Sequence, residues 1–425
     1  MTMPDGWTKG TLGDTCDIEI GGTPSRTVEK YWDIDRKTEN VWVSIKDLRS
    51  RVITETAEQI SDLGIKNSNA KLQPVGTVLL SFKLTIGRVA FAGRPLYTNE
   101  AIAGLRPKSL NSEYLYYGLQ QWNLLQGVDQ AVKGATLNKE KLKKIKFIYP
   151  ESAAEQSKIA EILSTVDRAI EQTEALIAKQ QRIKTGLMQD LLTRGIDEHG
   201  NLRSEATHKF KDSPLGRIPV EWEVATIGDY CKVKRGASPR PIQDSKWWGG
   251  EVGWVRIADV TSSRKYLLTT TQHLSPLGVR YSVLLNAGEV ILSICATIGR
   301  PIITTFPVCI HDGFVWFDGL SDKIDREWFY YYLQSKEEKL AGSRQVGTQG
   351  NLNTGIVSKT YFLVPSYREE QERIACILRT IDDTVDRSFN TLEKLKRLKT
   401  ALMQDLLTGR RRVTALLEQQ EGAGI

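Results

Sequence analysis

The sequence predicts an α+β protein in which two mixed α/β domains are joined by two long helices packed as an antiparallel coiled coil. Two observations carry this prediction: the chain repeats itself along its whole length, and each repeat ends in a long stretch with a heptad pattern. We divide the 425 residues into domains 1–150 and 221–365, long helices 151–195 and 366–410, a linker 196–220, and a tail 411–425 that starts with basic residues.

The repeat is clearest where seven residues, LMQDLLT, occur at 187–193 and again at 402–408. The same shift of 215 residues aligns EQSKIAEILSTVDRAI with EQERIACILRTIDDTV, and a shift of 212 aligns GTVLLSFKLTIGR with GEVILSICATIGR. Matches of this length, in one order, indicate that a domain and the helix after it are both present twice.

Within each domain, short strand-like runs alternate with helical ones. VWVSI and GWVRI alternate in polarity, VLLSF and VILSI are typical of buried strands, and EYLYYGLQ and EWFYYYLQ have an apolar helical face. Tryptophans such as Trp42 and Trp254 recur at matching positions, and features common to both copies most simply serve the shared fold. We therefore expect these rings in the core rather than stacked on bases.

Each long helix is expected to start at a capping box just after a proline, Ser152-x-x-Glu155 in the first and Ser366-x-x-Glu369 in the second. One row of residues recurs every seven positions, and a second row follows it at an offset of three. At 1.5 Å per residue, a helix of about 37 residues would span roughly 55 Å. The predicted helix-pairing residues are Ile159, Val166, Leu176, Ile183, Leu187, Ile374, Ile381, Leu395 and Leu402.

A heptad stripe of this length needs a partner, and the second copy supplies one in the same chain at a high effective concentration. Pairing within the chain is therefore preferred over a dimerisation coil or a simple core helix, which the heptads alone leave open. The linker is polar and contains Gly, Ser and two prolines, so it would let the second copy double back. We expect the two helices to run antiparallel.

The composition bounds the function without identifying it. No apolar run is long enough to span a membrane, and the five cysteines show no CxxC spacing. We expect a cytoplasmic protein with reduced thiols and no membrane partner. The net charge of +7 suits a polyanionic partner, although many basic proteins bind nothing of the kind.

Motifs for catalysis are missing from the sequence. There is no GxGxxG after a strand, no GxxxxGK[ST], no GxSxG, no [DNS]PP[YFW] of amino-methyltransferases, and no cluster with metal-ligand spacing. We therefore expect no catalytic residue, no metal site and no cofactor in this chain, which has the features of a reader rather than a catalyst. An enzyme with an unrecognised site remains an alternative.

Matched loops that differ in chemistry are the candidates for reading different base sequences. Arg, Lys and Asn side chains hydrogen-bond base edges in the major groove, and each good pair gives about 1–3 kcal/mol of discrimination. A solvated surface residue is the plain alternative for each position. The candidates are Ser44, Lys46, Lys83 and Asn99 in the first copy, which align with Arg256, Ala258, Cys295 and His311 in the second.

Loops that both copies share suit phosphate contacts, which position a protein on DNA without reading sequence. They are the TIGR turns, the loops GGTPSR and RGASPR, and the polar runs ahead of the long helices. A purely structural turn is the alternative for all of them. The candidates here are Arg26, Thr85, Arg88, Lys133, Asn138, Arg240, Thr297, Arg300, Gln349, Asn351 and Asn353.

Several segments together carry a resemblance to a known family: GWTKGTLGD, GGTPSR, EQSKIAEIL with EQERIACIL, LMQDLLTRGID, HKFKDSPLGRIPVEWEV and LMQDLLTGRRRV. In this order they resemble the specificity (S) subunit of type I restriction–modification enzymes over essentially the whole chain. The resemblance implies two target-recognition domains in a pseudo-twofold arrangement. Each would read one half of a split target in double-stranded DNA, with the helices as a ruler for the spacer.

The resemblance also implies partner subunits that carry the chemistry. Two methyltransferase (M) subunits would bind S-adenosylmethionine and methylate adenine N6, and restriction (R) subunits would use ATP and Mg²⁺ for translocation and cleavage. We further expect each LMQDLLT surface to receive one M subunit. Because the copies have diverged, the target should be asymmetric. A scaffold with two modules for protein partners is the second class of function that the repeat allows.

Overall fold

The computed structural model describes residues 3–125, 137–342 and 352–422. The chain divides into two compact units: unit 1 comprises Met1–Glu174 and Asn390–Ile425, and unit 2 comprises Ala175–Phe389. The boundaries fall inside the two long helices, so each unit contains one mixed α/β lobe and part of each helix. Unit 1 is therefore completed by the C-terminal part of the chain.

The lobe of unit 1 is built from short strands and helices. Its strands are β1 (Trp7–Thr11), β2 (Cys16–Ile20), β3 (Val41–Val43), β4 (Val52–Ile53), β5 (Glu58–Gln59), β6 (Leu72–Gln73), β7 (Val78–Ser81), β8 (Val89–Ala92), β9 (Leu96–Thr98), β10 (Ile102–Pro107) and β11 (Lys146–Pro150). Its helices are α1 (Leu12–Thr15), α2 (Asp62–Lys66), α3 (Ser112–Gln121) and α4 (Lys139–Lys143), and the long helix α5 (Ala153–Leu191) follows. The described strands form a five-stranded sheet, β2-β10-β7-β8-β4, a four-stranded sheet, β5-β3-β9-β6, and the pair β1-β11.

The lobe of unit 2 repeats this construction. Its strands are β12 (Phe210–Ser213), β13 (Gly216–Pro219), β14 (Glu223–Thr226), β15 (Lys232–Arg235), β16 (Trp248–Val255), β17 (Tyr266–Leu267), β18 (Gln272–Leu274), β19 (Val283–Leu285), β20 (Val290–Ser293), β21 (Pro301–Thr304), β22 (Val308–Ile310), β23 (Phe314–Asp318) and β24 (Tyr361–Val364). Its helices are α6 (Ile227–Tyr230), α7 (Ile257–Ser262), α8 (Pro276–Arg280), α9 (Arg326–Ser335), α10 (Glu337–Gly342) and α11 (Thr354–Ser358). The long helix α12 (Arg368–Leu406) and α13 (Thr414–Gly422) follow.

The two lobes match strand by strand. In unit 2 the described strands form a five-stranded sheet, β15-β23-β20-β21-β17, a four-stranded sheet, β18-β16-β22-β19, and the pairs β14-β24 and β12-β13. The two larger sheets have the same order of equivalent strands as those of unit 1, and the hairpin β12-β13 lies in the linker. Two mixed α/β lobes and a long helix pair confirm the predicted fold class.

The central strand of each lobe is buried on both faces, which explains its continuous apolar run. In unit 1, Val78 and Leu80 of β7 pack in the cluster that contains α3, whereas Leu79 packs with Val41 and Val43 of the second sheet. The paired tryptophans also lie in the core as predicted, with Trp42 and Trp254 exposed by 1% and 5%.

The long helices do not both begin as predicted. The Ser152 hydroxyl accepts a hydrogen bond from the Glu155 amide (3.3 Å), but the Glu155 carboxylate binds Arg412 instead of completing a capping box. In the second helix, the Ser366 hydroxyl donates to the carbonyl of Glu221. The Ser152 half of the first predicted box is therefore present and its Glu155 half is not, while the predicted second box is wrong because Ser366 has a tertiary partner.

The seam of α5 also differs from the prediction in one respect. Along α5 the buried and partly buried positions advance by four and then three residues, from Ile159 through Leu163, Val166 and onwards to Leu191. The second row lies at an offset of four, because Ile177 is 5% exposed while Leu176 is 46% exposed. The choice of Leu176 and Ile183 (45% exposed) was therefore wrong.

The physical reason for this error is that the seam of α5 is partly polar. Lys184, rather than its apolar neighbour Ile183, occupies the seam and forms an ion pair with Asp382 of α12 (2.6 Å). A pattern based on apolar side chains alone moves the second row by one residue. The other helix-pairing candidates, Ile159, Val166, Leu187, Ile374, Ile381, Leu395 and Leu402, are buried or partly buried.

The two long helices pack antiparallel in both units. In unit 1, Asp167 and Glu174 of α5 pair with Lys399 and Lys396 of α12, so residue numbers rise on one helix as they fall on the other. In unit 2 the pairing of Lys184 with Asp382 continues this order. The antiparallel prediction is confirmed.

A buried polar cluster fastens each lobe to the helix pair, and we call it the polar anchor. In unit 1, Asp167 is 8% exposed, accepts a hydrogen bond from the Tyr117 hydroxyl of α3 (2.8 Å) and pairs with Lys399 (2.7 Å). Arg51 of the lobe donates to the Tyr117 hydroxyl (3.0 Å) and to Glu113. Each buried charge thus has a partner, which is the condition under which burial is tolerated.

Unit 2 contains the same anchor at matching positions. Asp382 of α12 accepts a hydrogen bond from the Tyr331 hydroxyl of α9 (2.7 Å) and pairs with Lys184. Lys265 takes the place of Arg51 and reaches the Tyr331 hydroxyl and Glu327 (both 3.2 Å). Burial lowers the pKa of Lys265, and the Glu327 carboxylate partly opposes this effect. In both anchors the aspartate and the lysine come from different long helices.

Among the described residues, no helix is both long and apolar enough to cross a membrane.

Candidate DNA interface

The candidate loops of unit 1 meet at one edge of the lobe because of the strand directions. Strands β3 and β9 are parallel, with Trp42 opposite Tyr97, so the loops that follow them leave at the same edge. Strands β7 and β10 are antiparallel, with Ser81 opposite Ile102, so the turn after β7 lies beside the loop before β10. We call this side of each lobe the loop edge.

Backbone hydrogen bonds hold these loops against one another. The Asn99 amide donates to Val43 (3.0 Å) and the Phe82 amide donates to Ala101 (3.0 Å). The Arg88 guanidinium donates to the carbonyl of Ile45 (3.2 Å), which brings the TIGR turn onto the loop after β3. The structure thereby brings together the sequence candidates Ser44, Lys46, Lys83, Thr85, Arg88 and Asn99.

The GGTPSR loop joins the same edge through a close backbone approach. A Cβ atom on Gly21 would lie 2.0 Å from the carbonyl oxygen of Thr98, so only glycine fits there. The Thr23 hydroxyl donates to Glu100. Arg26 forms an ion pair with Glu58, and its guanidinium lies 3.8 Å from the centroid of the Trp32 ring.

The loop edge of unit 2 has the same construction with different side chains. A Cβ atom on Gly236 would lie 2.2 Å from the carbonyl oxygen of His311. The Asp312 carboxylate accepts from the Ser238 hydroxyl (2.7 Å) and pairs with Arg240 (2.8 Å). Arg256 lies at the start of α7 and donates to Gln272 (3.3 Å).

Unit 2 also repeats the turn that follows the central strand. The Arg300 guanidinium donates to the carbonyl of Ser263 (2.9 Å). The Ser293 hydroxyl donates to the carbonyl of Thr297, as the Ser81 hydroxyl does to Thr85. These threonines have their backbone in the turn, and their side chains remain candidates for DNA contact.

The contacts of His311 at this edge define its protonation state and its free hydrogen-bond donor. Its ring lies between Trp254 and Phe314, with centroid distances of 5.5 and 4.7 Å. Burial lowers the pKa of His311, while the Asp312 carboxylate partly opposes this, so the ring is neutral at pH 7. Its Nδ1 accepts a hydrogen bond from the Gly313 amide (2.7 Å), which leaves the proton on Nε2 as a donor.

Several polar candidates have structural partners within their own loops. The Ser44 hydroxyl donates to Asp47 (2.6 Å), and the Asn99 carbonyl oxygen accepts from the Ala101 amide (3.0 Å). Asn138 and Asn353 cap α4 and α11 at matching positions. Their proposed contacts with DNA stay predictions. Lys133, Gln349 and Asn351 lie outside the described residues.

Other residues of the loop edges were missed by the sequence analysis. Arg49 lines a cleft together with Lys46, Thr85 and Arg88 in unit 1, and the Arg235 guanidinium donates to the Asp312 carbonyl in unit 2. Arg49 follows the strand-like run VWVSI and Arg235 is the first residue of the RGASPR loop, and the proximity of each arginine to the other loops depends on tertiary pairing. Within the described ranges, no group of three or more His, Cys, Asp or Glu side chains could hold a metal ion.

Comparison with known proteins gives one consistent family. The chain matches the family described as "Type I restriction modification DNA specificity domain" twice, over residues 4–180 and 219–397. It is 29% identical to the type I restriction enzyme MjaIX specificity subunit of Methanocaldococcus jannaschii over 262 residues, 60% of this chain and 58% of that protein. It is 30% identical to the putative MjaX specificity subunit of the same organism over 344 residues, 77% of this chain and 76% of that protein.

A solved structure supports the fold. The S subunit of a type I restriction–modification system from M. genitalium has a TM-score of 0.58 and 13% identity to this chain, and the match covers 96% of this chain and 98% of the other. The repeated match covers more than half of the sequence, and both lobes and the helix pair follow the repeat. The chain belongs to the family of type I restriction–modification specificity (S) subunits.

Proposed function

We propose that each lobe reads one half of an asymmetric, bipartite target in double-stranded DNA through its loop edge. The observation that carries this proposal is that the two loop edges are built alike but carry different side chains at matching positions. Lys83 and Asn99 in unit 1 stand where unit 2 has Cys295 and His311. Because base readout depends on the donors and acceptors in the groove, two such edges select two different half-sites.

The cations of the loop edges support a polyanionic partner. Lys46, Arg49 and Arg88 of unit 1 are exposed, and none of them forms an ion pair with a described carboxylate. Unpaired arginine and lysine side chains gain from neutralising phosphates and releasing counterions. We assign Arg49 and Arg88 to phosphate contacts, and Lys46, a base-reading candidate by sequence, joins them because it lines the same cleft.

The helix pair is proposed to set the spacer between the half-sites. α5 and α12 each contain 39 residues, which corresponds to about 58 Å at 1.5 Å per residue. Inserting whole heptads into both helices should lengthen the spacer that the complex tolerates. An unchanged spacer in the methylated sequence would refute the role of ruler.

We propose that this chain recruits subunits that carry the chemistry and is not itself an enzyme. Two M subunits would bind S-adenosylmethionine for adenine-N6 methylation, and R subunits would supply ATP- and Mg²⁺-dependent cleavage. The repeated LMQDLLT segments, each with an exposed glutamine (Gln189 and Gln404), are the proposed contacts for M subunits. Methylation by the purified chain alone with S-adenosylmethionine would contradict this division of labour.

Measuring DNA binding at increasing salt concentration distinguishes the proposed DNA reader from the alternative, a scaffold for protein partners. Binding of the full-length chain, alone and with its M subunits, to duplex DNA should weaken with a slope of about −5 or steeper in log affinity against log salt, as expected for about six or more phosphate contacts. Binding that is absent or independent of salt would favour the scaffold.

Domain exchange tests the modular reading directly. Methylome sequencing of a host that carries the system identifies the bipartite target. Replacing residues 1–150 with the corresponding domain of another S subunit should then change one half of the methylated sequence. A change in both halves would refute independent reading by the two lobes.

A further inference from the structure

The turn after the central strand has the same unusual backbone in both units. Leu84 in unit 1 and Ala296 in unit 2 have φ angles of +61° and +55°, a left-handed conformation that side chains other than Gly, Asn and Asp rarely adopt. The turn is shaped by the buried serine before it, since Ser81 Oγ accepts from the Arg88 amide (2.9 Å) and Ser293 Oγ from the Arg300 amide (3.1 Å). The backbone at this position is therefore held by contacts that both units retain.

What the turn presents differs between the units. The Leu84 side chain is 92% exposed, the most exposed of the large apolar side chains among the described residues. Single exposed leucines are common on protein surfaces, so exposure alone indicates nothing. Here, however, the leucine projects from a strained backbone that is held in place at the loop edge. Backbone strain that is retained in a folded protein commonly marks a functional contact.

The surroundings of Leu84 are cationic. The next residue, Thr85, lines a cleft with Lys46, Arg49 and Arg88, and Lys83 precedes Leu84 directly. The nearby Asp47 carboxylate is occupied, because it accepts from the Ser44 hydroxyl (2.6 Å) and from the Ala57 amide (3.2 Å). An apolar tip surrounded by cations is suited to a partner with stacked apolar rings inside an anionic backbone, which is the chemistry of duplex DNA.

We propose that Leu84 is a wedge that inserts between neighbouring base pairs of the half-site bound by unit 1, while the cations around it hold the flanking phosphates. This inference rests on the proposed function and adds a contact that distorts the DNA. Leucine is among the side chains that can partly unstack a base step, and pyrimidine–purine steps unstack most easily. The methyl group of Ala296 is too short for this role, so the distortion is expected in one half-site only.

The test uses the full-length chain with its M subunits and a duplex of its own target that carries 2-aminopurine in one half-site at a time, at a step that excludes the adenine to be methylated, because flipping of that base by an M subunit would itself raise the fluorescence. With the wild-type chain, we expect 2-aminopurine fluorescence to rise at one step in the half-site of unit 1 and not in that of unit 2. Leu84→Asn should lower this rise at least about fivefold and weaken binding about tenfold, because asparagine keeps the left-handed backbone but loses the apolar contact.

Two further variants sharpen the result. Ala296→Leu should create a fluorescence rise in the half-site of unit 2. Leu63→Asn is the control, because Leu63 is an exposed leucine (49%) of α2 that lies away from the loop edge. The neighbouring Asp62 accepts a hydrogen bond from Asn40, which precedes β3, whereas the loop edge follows the end of that strand. This variant should leave DNA binding and fluorescence unchanged.

The outcomes separate this inference from the proposed function. If Leu84→Asn binds and fluoresces like the wild-type chain, the wedge is refuted, while sequence-specific, salt-dependent binding by the wild type still supports the proposed function. If Ala296→Leu gives no rise although Leu84→Asn loses one, then the turn of unit 2 does not approach the bases as proposed. Failure of the wild-type complex to bind the duplex would refute the proposed function itself.

Discussion

Unit 1 and unit 2 share their buried polar contacts almost residue for residue, whereas their loop edges carry different side chains. Asp167, Tyr117 and Lys399 in one unit correspond to Asp382, Tyr331 and Lys184 in the other. A buried charge that loses its partner destabilises the protein by several kcal/mol, so such a cluster changes only if its members change together.

The loop edge is under no such constraint. Side chains such as Lys46, Arg49 and Leu84 are exposed there, and an exposed substitution away from special backbone positions usually alters stability by no more than about 0.5 kcal/mol. The comparison therefore teaches that the same backbone can present different chemistry when its supports are buried and its tips are exposed. Four predictions test this contrast, from the largest expected effect to the smallest.

The largest effect is expected at the polar anchors. Asp167→Ala and Asp382→Ala should each lower the free energy of unfolding by about 3 kcal/mol, because each leaves a lysine and a tyrosine hydroxyl without a carboxylate acceptor that is largely shielded from solvent (side chains 12% and 18% exposed). Urea unfolding followed by tryptophan fluorescence measures this. Asp386→Ala is the matched control, since its ion pair with Arg264 is exposed (46% and 47%) and should contribute less than about 1 kcal/mol. Equal losses in Asp382→Ala and Asp386→Ala would contradict the structural role of the anchor.

A smaller loss is expected where a glycine brings a loop onto a strand end. Gly21→Ala and Gly236→Ala should each cost about 2 kcal/mol, because the added methyl group would collide with a backbone carbonyl and displace the loop. Both variants are also expected to weaken DNA binding, each in its own half-site. If either variant had a free energy of unfolding within about 0.5 kcal/mol of the wild type, its loop would be free to move. The two loop edges would then not be held in the same way, contrary to the proposal.

The two long helices differ at one matching position, where a substitution is expected to stabilise the chain instead of destabilising it. Gly186 on α5 and Ala401 on α12 occupy matching, exposed positions just before LMQDLLT, and nothing lies within 4 Å of a Cβ atom built on Gly186. Gly186→Ala should therefore stabilise the chain by about 0.5–1 kcal/mol, and Ala401→Gly should destabilise it by a similar amount. Denaturant midpoints report both changes, and two shifts of the same sign would be inconsistent with helix propensity as their cause.

The smallest effect concerns pH and distinguishes the units. His311 has a pKa lowered by burial, so below pH 6.5 the unfolded chain takes up a proton that the folded chain resists. The free energy of unfolding should therefore fall as the pH drops through 6.5, and the contribution is complete above that value. His311→Asn, which installs the residue found in unit 1, removes this titration, so the wild-type minus variant difference in the free energy of unfolding should be constant above pH 6.5 and fall as the pH drops below it. A wild-type minus variant difference that grows as the pH falls would have the wrong sign.

Sequence reasoning worked best for features that repeat and fared worse for features that depend on tertiary partners. The strands and long helices followed from their apolar periodicity. Ser366 and the second helical row were predicted wrongly, because a serine bonded to Glu221 and a lysine in the seam are decided by neighbours far along the chain. Similarly, Asn138 and Asn353 were selected as polar loop residues, and the structure uses both as helix caps.

By itself, the sequence determined that one domain-and-helix unit occurs twice, that the copies share a scaffold, and that their loops differ. Those properties are carried by local patterns and by self-similarity, which need no coordinates. Tertiary structure alone decided that the chain's C-terminal part completes unit 1, that the anchors draw aspartate and lysine from different helices, and that Leu84 is held exposed in a left-handed turn. The reason is physical: a buried charge or a strained backbone persists only when distant residues compensate it, and those residues are recognised only once the chain has folded.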